Sequence, residues 1–232
     1  RAGTSAGIGG AIVMEMPGKS DFPSPQGIND TLNNRATISA NTFRDNAAAL
    51  DLSGDQALLG GALALNRTNG LLVTNNVFAG NRARAGAALA LLGWNITDYP
   101  PDVVRTAQIV NNTLVANPGD NGVHLEMWQT PITLTNNIIV SHTVGIHVET
   151  GQTLGMAAEV HYTVYNDNGT NSDVTPDSTL IETGAITAPV EFVSFLGGDY
   201  HLLPTSAAID AGDPAGVPPA PAVDIEGTPR PF

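Results

Sequence analysis

Four segments of this chain align with one another without gaps, and this internal repeat is the feature that most constrains the fold. Each segment combines alternating apolar and polar residues, an Asn, two or three mostly apolar residues and a second Asn. Self-similarity of this kind indicates a solenoid, in which each repeat packs on its neighbours. The segments are residues 36–46 (ATISANTFRDN), 71–81 (LLVTNNVFAGN), 107–117 (AQIVNNTLVAN) and 132–142 (ITLTNNIIVSH), with a weaker fifth at 158–168 (AEVHYTVYNDN).

The aligned asparagines mark the corners of the repeat. They are Asn41, Asn76, Asn112 and Asn137, at spacings of 35, 36 and 25 residues, with Tyr162 a further 25 residues along the chain. Asn suits a corner because it tolerates the left-handed backbone region better than other residues that carry a Cβ. When the same residue stacks one repeat away, its side-chain amide can join a hydrogen-bonded ladder along the axis.

A strand rich in Gly and Ala follows each segment, so one rung consists of a strand, an Asn turn, a strand, a Gly turn and a strand. These third strands lie at 60–66, 85–92, 121–128 and 144–150, and the opening GGAIVME belongs to the same set. The apolar residues recur at a period of two, which excludes helices. The irregular repeat length excludes a leucine-rich repeat. The pattern therefore predicts an all-β parallel β-helix of about five to six rungs.

The composition limits the partners. The chain has 232 residues, a net charge of −13, no Cys, and Lys19 as its only lysine beside eight arginines. A nucleic acid or an anionic membrane needs a basic surface, so neither is expected as a partner. No apolar run is long enough to cross a bilayer. The acidic balance suits calcium or neutral sugars. No cofactor is expected, with calcium as the alternative.

The C-terminal third departs from the repeat and carries a resemblance to a known family. The run GGDYHLLPTSAAIDAGD (197–213), followed by Asp224, Gly227 and Arg230 as Asp-x-x-Gly-x-x-Arg, resembles the end of bacterial right-handed β-helix proteins of the choice-of-anchor type. The resemblance implies a right-handed β-helix, export to the cell surface or medium, and a C-terminal segment that closes the solenoid. It implies no single activity.

These observations predict one structural domain with two parts. Residues 1–165 are expected to form β-helix rungs that continue from missing N-terminal sequence, because the chain opens inside a repeat. Residues 166–232 are expected to form an irregular last rung and the closing segment. The oligomeric state is left open by the sequence.

Catalytic motifs of the β-helix enzymes are absent from the sequence. A polygalacturonase-like hydrolase needs clustered Asp residues for acid and base chemistry, and only the fragment Asn29-Asp30-Thr31 is present. A pectate-lyase-like enzyme needs calcium-binding carboxylates beside an Arg or Lys base, yet Arg82 and Arg84 lie at a turn. We therefore favour a non-catalytic surface module, structural or adhesin-like. The alternative is a polysaccharide lyase or glycoside hydrolase of the pectin-degrading type.

Two histidines occupy equivalent places in successive third strands. His124 and His147 are therefore expected to stack one rung apart. Such a pair could share a metal ion, but an outward-facing polar ladder is the simpler interpretation. The acidic residues near the C-terminus offer the same choice between calcium binding and turn capping; they are Asp199, Asp210, Asp213, Asp224 and Glu226.

Two long connections leave the same corner, after the third strand, and are the predicted ligand-binding elements. They are residues 16–35 and 93–105, and the equivalent connection between them is minimal. Solenoids usually carry function on such loops, and aromatic rings beside carboxylates suit sugar binding. The alternative is that both tryptophans pack the loops against the column. The candidate ligand-binding residues are Trp94, Asp98, Tyr99, Asp102, Glu126 and Trp128.

Overall fold

The computed structural model describes residues 11–15, 36–48, 59–66, 70–92, 106–126, 132–149, 157–213 and 220–230. The regular elements in these ranges are all strands. No helix of the described residues has the length and apolar character to cross a membrane. The strands are β1 (Ile12–Glu15), β2 (Thr37–Ser39), β3 (Thr42–Arg44), β4 (Leu63–Asn66), β5 (Leu71–Thr74), β6 (Val77–Ala79), β7 (Leu89–Leu92), β8 (Ala107–Val110), β9 (Thr113–Val115), β10 (Val123–Glu126), β11 (Ile132–Thr135), β12 (Ile138–Val140), β13 (Val144–Glu149), β14 (Ala157–His161), β15 (Val164–Asn166), β16 (Thr170–Val174), β17 (Thr179–Thr183), β18 (Ile186–Thr187), β19 (Phe192–Ser194) and β20 (Asp199–Leu202).

The first eighteen strands form three parallel sheets of six strands each. Sheet 1 has the order β1-β4-β7-β10-β13-β16, sheet 2 contains β2, β5, β8, β11, β14 and β17, and sheet 3 contains β3, β6, β9, β12, β15 and β18. Consecutive strands of the chain belong to different sheets. Each strand pairs in parallel with the strand three places further along the chain, so that β1 pairs with β4 and β4 with β7. This is the predicted parallel β-helix, with the predicted number of rungs.

The core is a set of inward-facing columns, in which one buried side chain stacks on its equivalent in the next rung. The predicted inward residues Ile132, Leu134, Ile146 and Val148 are all fully buried. In sheet 3 the rings of Phe43 and Phe78 stack with centroids 5.0 Å apart. A fully buried side chain of this size contributes roughly 1.5–3 kcal/mol, so the column supplies most of the driving force for folding. The remaining members of this cluster are also apolar: Ala36, Ile38, Ala62, Leu63, Leu65, Leu71, Val73, Ala88, Leu89, Leu91, Ala107, Ile109, Leu114, Val123, Leu125, Ile139, Ala158, Val160 and Tyr165.

The corner between sheets 2 and 3 carries the predicted asparagine ladder. Asn41 Nδ2 donates to Asn76 Oδ1 (3.1 Å), Asn76 Nδ2 to Asn112 Oδ1 (3.0 Å) and Asn112 Nδ2 to Asn137 Oδ1 (3.1 Å). Each Oδ1 also accepts the backbone N–H of the asparagine in the preceding rung. The ladder prediction is therefore confirmed for these four residues.

Two details of that prediction are wrong. The left-handed backbone belongs to the residue before each ladder asparagine: Ala40, Asn75, Asn111, Asn136 and Tyr162 have φ values between 47° and 57°. The fifth ladder position is Thr163 and not Tyr162, because Ile138 pairs with Val164. Tyr162 takes the left-handed position instead, where its N–H continues the backbone pairing to Thr183 O (2.9 Å).

A second ladder runs along the far corner of sheet 3. Asn46 Nδ2 donates to Asn81 Oδ1 (2.9 Å), and Asn81 Nδ2 donates to Asn117 Oδ1 (2.9 Å). His142 takes the next position, with its Nε2 3.1 Å from Asn117 Nδ2, and the backbone N–H of His142 donates to Asn168 Oδ1 (3.0 Å). A histidine thus replaces one amide in an otherwise regular row.

The parallel pairing continues through β16, β17 and β18, although residues 166–189 are polar and rich in turns. The last rung places Ser172 and Glu182 opposite the inward residues Ile146 and Val160. Glu182 Oε1 accepts a hydrogen bond from the Tyr165 hydroxyl (2.9 Å). An inward-pointing charge disfavours the addition of another strand, so the polar residues of this rung end the apolar column.

The described part of the C-terminal segment packs along the side of the column, and the closing role that the resemblance implies stays a prediction. Val190 and Phe192 pack on the outward residues Val115, Val140 and Val164 of sheet 3. Strands β19 and β20 form an antiparallel hairpin there. Polar contacts extend this packing back to the early rungs: Arg44 Nη2 donates to Gly198 O (2.9 Å), and Arg230 Nη2 donates to Asn75 Oδ1 (2.8 Å).

Candidate functional site on sheet 1

One outward column of sheet 1 changes from apolar to polar residues at β10. In register, the first outward column contains Ala64, Ala90, His124, His147 and Asp173. The alternation of the strands directs these side chains away from the core, because their neighbours Leu125 and Val148 are fully buried. The polar side chains of this column therefore lie on β10, β13 and β16.

A second outward column lies two residues further along the same strands. Leu92, Glu126 and Glu149 are in register in β7, β10 and β13. Each His-x-Glu strand thus carries an imidazole and a carboxylate on the same face. The stacking of β10 on β13 brings both pairs together.

The imidazoles of His124 and His147 stack with centroids 5.3 Å apart and ring planes inclined by 17°. Their Nε2 atoms face the carboxylates. His147 Nε2 is 3.5 Å and His124 Nε2 is 3.9 Å from Glu149 Oε2, and His124 Nε2 is 3.7 Å from Glu126 Oε2. The predicted stack one rung apart is confirmed.

Asp173 orients the His147 ring from the opposite side. Its Oδ1 contacts His147 Nδ1. A carboxylate can only accept, so Nδ1 of His147 carries a proton. In the neutral imidazole the lone pair then lies on Nε2, the nitrogen that faces Glu149, and it can act as an acceptor or a ligand.

His124 is the most enclosed polar group of the site. Its side chain is 6% exposed, and its Nδ1 is buried with no hydrogen-bond partner among the described residues. Only Nε2 faces other polar groups, and its distances to the two carboxylates exceed those of a hydrogen bond. A buried imidazole without partners costs free energy, so its position calls for a functional explanation.

These side chains line a groove of about 450 Å³ that extends across the sheet to the turn before each strand. Leu59, Ala85 and Val144 form its apolar wall. Arg84 and Asp120 lie at its rim with Nε and Oδ2 3.7 Å apart. The other lining residues are Asn121, His124, Glu126, His147, Glu149 and Asp173.

The groove is strongly acidic. Its lining contains the four carboxylates Asp120, Glu126, Glu149 and Asp173 but only the guanidinium of Arg84, which gives a charge of −3 when the histidines are neutral. Such a surface attracts cations and repels polyanions. It can accept hydrogen bonds from hydroxyl groups while the apolar wall covers C–H groups.

Glu126 is the one candidate ligand-binding residue of the sequence that the structure describes, and it lines the groove. The connections 16–35 and 93–105 fall outside the described residues. They leave the carboxyl ends of β1 and β7, the end at which Glu126 lies on β10. The candidates Trp94, Asp98, Tyr99, Asp102 and Trp128 also lie outside the described residues.

The C-terminal acidic residues hold turns and a histidine. Asp224 Oδ1 accepts the backbone N–H groups of Glu226 (2.9 Å) and Thr228 (2.8 Å), which is the turn-capping role considered from the sequence. His201 contacts Asp199 Oδ1 through Nδ1 and Glu226 Oε1 through Nε2 (3.1 Å). These hydrogen bonds raise the pKa of His201 and lower that of Asp199. Calcium binding at these residues remains a prediction.

Glu149 and Asp173 were missed as site residues. The signal for Glu149 was present, since VHLE and IHVE repeat His-x-Glu in successive third strands. Asp173 had no comparable signal, because its strand lies in the polar segment whose alignment to the repeat was not recognised.

Comparison with known protein families agrees with this architecture. The model described as "Right handed beta helix region" matches residues 20–168, which is more than half of the chain. The chain belongs to the right-handed β-helix family. A search of curated proteins and a search of solved structures each found no match. Family membership establishes the β-helix fold. The chemistry of the candidate site is inferred from the residues that line it.

Proposed function

We propose that this right-handed β-helix is a non-catalytic bacterial surface or secreted module, structural or adhesin-like, that binds a neutral glycan in the sheet 1 groove. The observation that carries the proposal is the groove itself. It combines the apolar wall of Leu59, Ala85 and Val144 with carboxylate acceptors on a rigid parallel sheet. Sugars present both kinds of surface, since their C–H groups pack on apolar atoms and their hydroxyls donate hydrogen bonds.

The shape of the site supports an oligosaccharide ligand. A groove of about 450 Å³ is within the usual range for ligand sites. Rungs repeat at about 4.8 Å, so successive strands present equivalent acceptors at a regular interval. A ligand with repeating hydroxyl groups can therefore contact Glu126 and Glu149 in the same way on neighbouring rungs.

The charge of the groove selects among sugars. A uronate polymer would bring its carboxylates against a lining charge of −3, which costs binding energy at every acidic unit. A neutral glycan meets no such repulsion, and each hydroxyl that donates to a carboxylate forms a charge-assisted hydrogen bond. The groove therefore favours neutral glycans over pectin-like polyanions.

The connections 16–35 and 93–105 are proposed to extend this surface. Both follow sheet 1 strands at the end where Glu126 lies, and 93–105 contains Trp94, Asp98, Tyr99 and Asp102. An aromatic ring beside the groove would stack on a sugar ring that is held by the carboxylates. Trp94→Ala is therefore expected to abolish retention of the glycan.

A second candidate function is a polysaccharide lyase or a glycoside hydrolase. The observation in its favour is that imidazoles, carboxylates and Arg84 share one groove. Such groups can transfer protons during cleavage. The formation of new reducing ends, or the ultraviolet absorbance of an unsaturated product, separates this function from binding alone.

The test is retention of the tag-free chain on immobilised polysaccharides, with neutral and uronate polymers compared at equal loading. Glu126→Gln removes one carboxylate acceptor, and we expect neutral-glycan affinity to fall about tenfold, the loss of one charge-assisted hydrogen bond. Asp45→Asn is the matched control, because Asp45 is exposed at the left-handed corner after β3, where Asn is well tolerated. Equal retention of Glu126→Gln and Asp45→Asn, or preferential binding of uronate polymers, would refute the proposal.

A further inference from the structure

The stacked imidazoles of His124 and His147, beside Glu149, form a cluster whose histidines glycan binding does not explain. All five histidines of the chain lie in the described ranges, and only His124 and His147 share a carboxylate between neighbouring rungs. One ligand atom from each of His124, His147 and Glu149 can be chosen so that all three lie within 4.8 Å of one another. We infer that these three residues bind a divalent transition-metal ion such as Zn²⁺.

A metal of this size would be bound after side-chain movements that draw the three ligand atoms, which lie within 4.8 Å of one another, closer together. Ligands of a tetrahedral zinc ion with bonds of about 2.0–2.1 Å lie roughly 3.3 Å apart. The separations of Glu149 Oε2 from His147 Nε2 (3.5 Å) and His124 Nε2 (3.9 Å) are close to this value. The Glu149 side chain is 44% exposed, so it can rotate toward an ion without disturbing the core.

Asp173 contacts the ring nitrogen of His147 that does not face Glu149, as carboxylates beside metal-bound histidines usually do. Histidine ligands of metals usually donate their other ring N–H to a carboxylate or carbonyl, which fixes the tautomer and raises ligand basicity. His147 has this arrangement, since Nδ1 contacts Asp173 and Nε2 faces Glu149.

The burial of His124 is the second, independent observation. Its side chain is 6% exposed, neither ring nitrogen has a hydrogen-bond partner in the described parts of the chain, and Nε2 is directed toward Glu126 and Glu149. Coordination through Nε2 would give this buried imidazole a strong partner. Glu126 Oε2, 3.7 Å from the same nitrogen, is placed to complete the coordination or to hold a metal-bound water.

The chemistry of the donors defines the class of ion. Two imidazole nitrogens and a carboxylate are typical of Zn²⁺ and its first-row neighbours, whereas Ca²⁺ and Mg²⁺ prefer a full set of oxygen ligands. The groove charge of −3 attracts any divalent cation, but the two nitrogens select the transition metals. Three protein ligands would leave a coordination position open to a water or a ligand hydroxyl.

The experiment is isothermal titration of chelator-treated, tag-free protein with Zn²⁺ alone, at neutral pH and with no glycan present. We expect saturable binding at this site that excess Ca²⁺ does not displace, together with a rise in Tm. His147→Gln and Glu149→Gln should each weaken binding at least tenfold. Asp173→Asn, which keeps all three ligands, should weaken it about ten- to a hundredfold through its effect on His147.

His201→Gln is the matched control, since His201 also contacts two carboxylates but lies in the C-terminal segment. Its Zn²⁺ affinity should equal that of the unmodified chain. Glu149 is a partly exposed surface residue, so the Glu149→Gln variant keeps the test valid even if His147→Gln misfolds. Absence of saturable Zn²⁺ binding, equal binding by all variants, or displacement by Ca²⁺ would overturn the inference. None of these readouts requires a glycan, so this site and the proposed function can fail separately.

Discussion

His142 replaces an asparagine in the second ladder, and this exchange makes the stability of the β-helix depend on pH. Asn117 uses its Oδ1 for Asn81, so its Nδ2 points at His142 Nε2, 3.1 Å away. That nitrogen must accept, which requires a neutral imidazole with its proton on Nδ1. Protonation would place N–H groups of both residues against each other. Replacement by asparagine (His142→Asn) restores an acceptor that does not titrate in this range.

The size of the effect follows from the pKa of His142. Burial lowers this pKa from 6.5 to about 4, and a hydrogen bond with Asn168 opposes the shift only in part. The folded state therefore favours the neutral form, and its stabilisation is complete above 6.5 and is lost as the pH falls toward 4. Between about pH 7.5 and about pH 5, this linkage removes about 2 kcal/mol of unfolding free energy.

The assay is urea unfolding of the unmodified chain and of His142→Asn at both pH values. Other groups titrate equally in the two proteins, so the difference between their pH dependences isolates position 142. The unmodified chain should lose about 2 kcal/mol more than the variant. At neutral pH the unfolding free energies of the two proteins should differ by about 1 kcal/mol or less. Asparagine is smaller than histidine and leaves space beside Gly122, which packs against the His142 ring, but its new amide hydrogen bond offsets the packing free energy that is lost.

Equal losses of stability in the two proteins over this pH interval would refute the reasoning. That result would mean that His142 is not held neutral by the ladder. A larger loss in His142→Asn than in the unmodified chain would contradict it in the same way. Circular dichroism at both pH values checks that the two proteins start from the same folded state.

Two further predictions concern the first ladder. In urea unfolding, Asn112→Ala should lower the unfolding free energy by about 3–5 kcal/mol, because the Asn112 amide bonds both neighbouring rungs and the buried groups around it would lose their partners. Asn41→Ala at the exposed end of the ladder should lower it by only about 1 kcal/mol. Similar losses at the two positions would contradict the ladder model. Thr163→Asn should raise Tm and increase the unfolding free energy by about 1 kcal/mol. The Thr163 hydroxyl is buried without a partner among the described residues at the position where the ladder stops, and the Oδ1 atom of an asparagine there could accept from Asn137. An unchanged or lower Tm would show that the ladder cannot be extended.

The fold was predictable because its determinants are local and repeated. Alternation at a period of two recurs along the chain, and the ladder asparagine recurs in four successive rungs, as Asn76 and Asn112 show, so each repeat reinforces the same interpretation. The stacking of His124 on His147 followed from the same alignment. Where the alignment slipped by one residue, at Tyr162, the prediction failed, because a one-residue shift moves a side chain to a different place in the corner.

The path of the C-terminal segment could not be derived in this way. The Arg230–Asn75 contact joins residues 155 apart, and no repeat relates the two positions. The site was only partly predictable for a related reason. Glu126 and the two histidines stand out on their own strands, but the role of Asp173 depends on a 26-residue step between rungs that only the three-dimensional register establishes.

The C-terminal segment and the apolar residues of the early rungs together determine which outward faces of the column are covered. Val190 and Phe192 cover the outward residues of sheet 3, and Leu59 and Ala85 pack with Ala90 and Leu92 outside the early rungs of sheet 1. Among the described residues, apolar packing thus covers these faces and leaves the polar rungs of sheet 1 to line the groove. Because β10, β13 and β16 are fixed by backbone pairing on a buried core, the backbone positions that carry their outward side chains keep their spacing before any ligand arrives. A backbone framework of this kind loses little conformational entropy on binding, which favours affinity for a ligand that itself repeats at the spacing of the rungs.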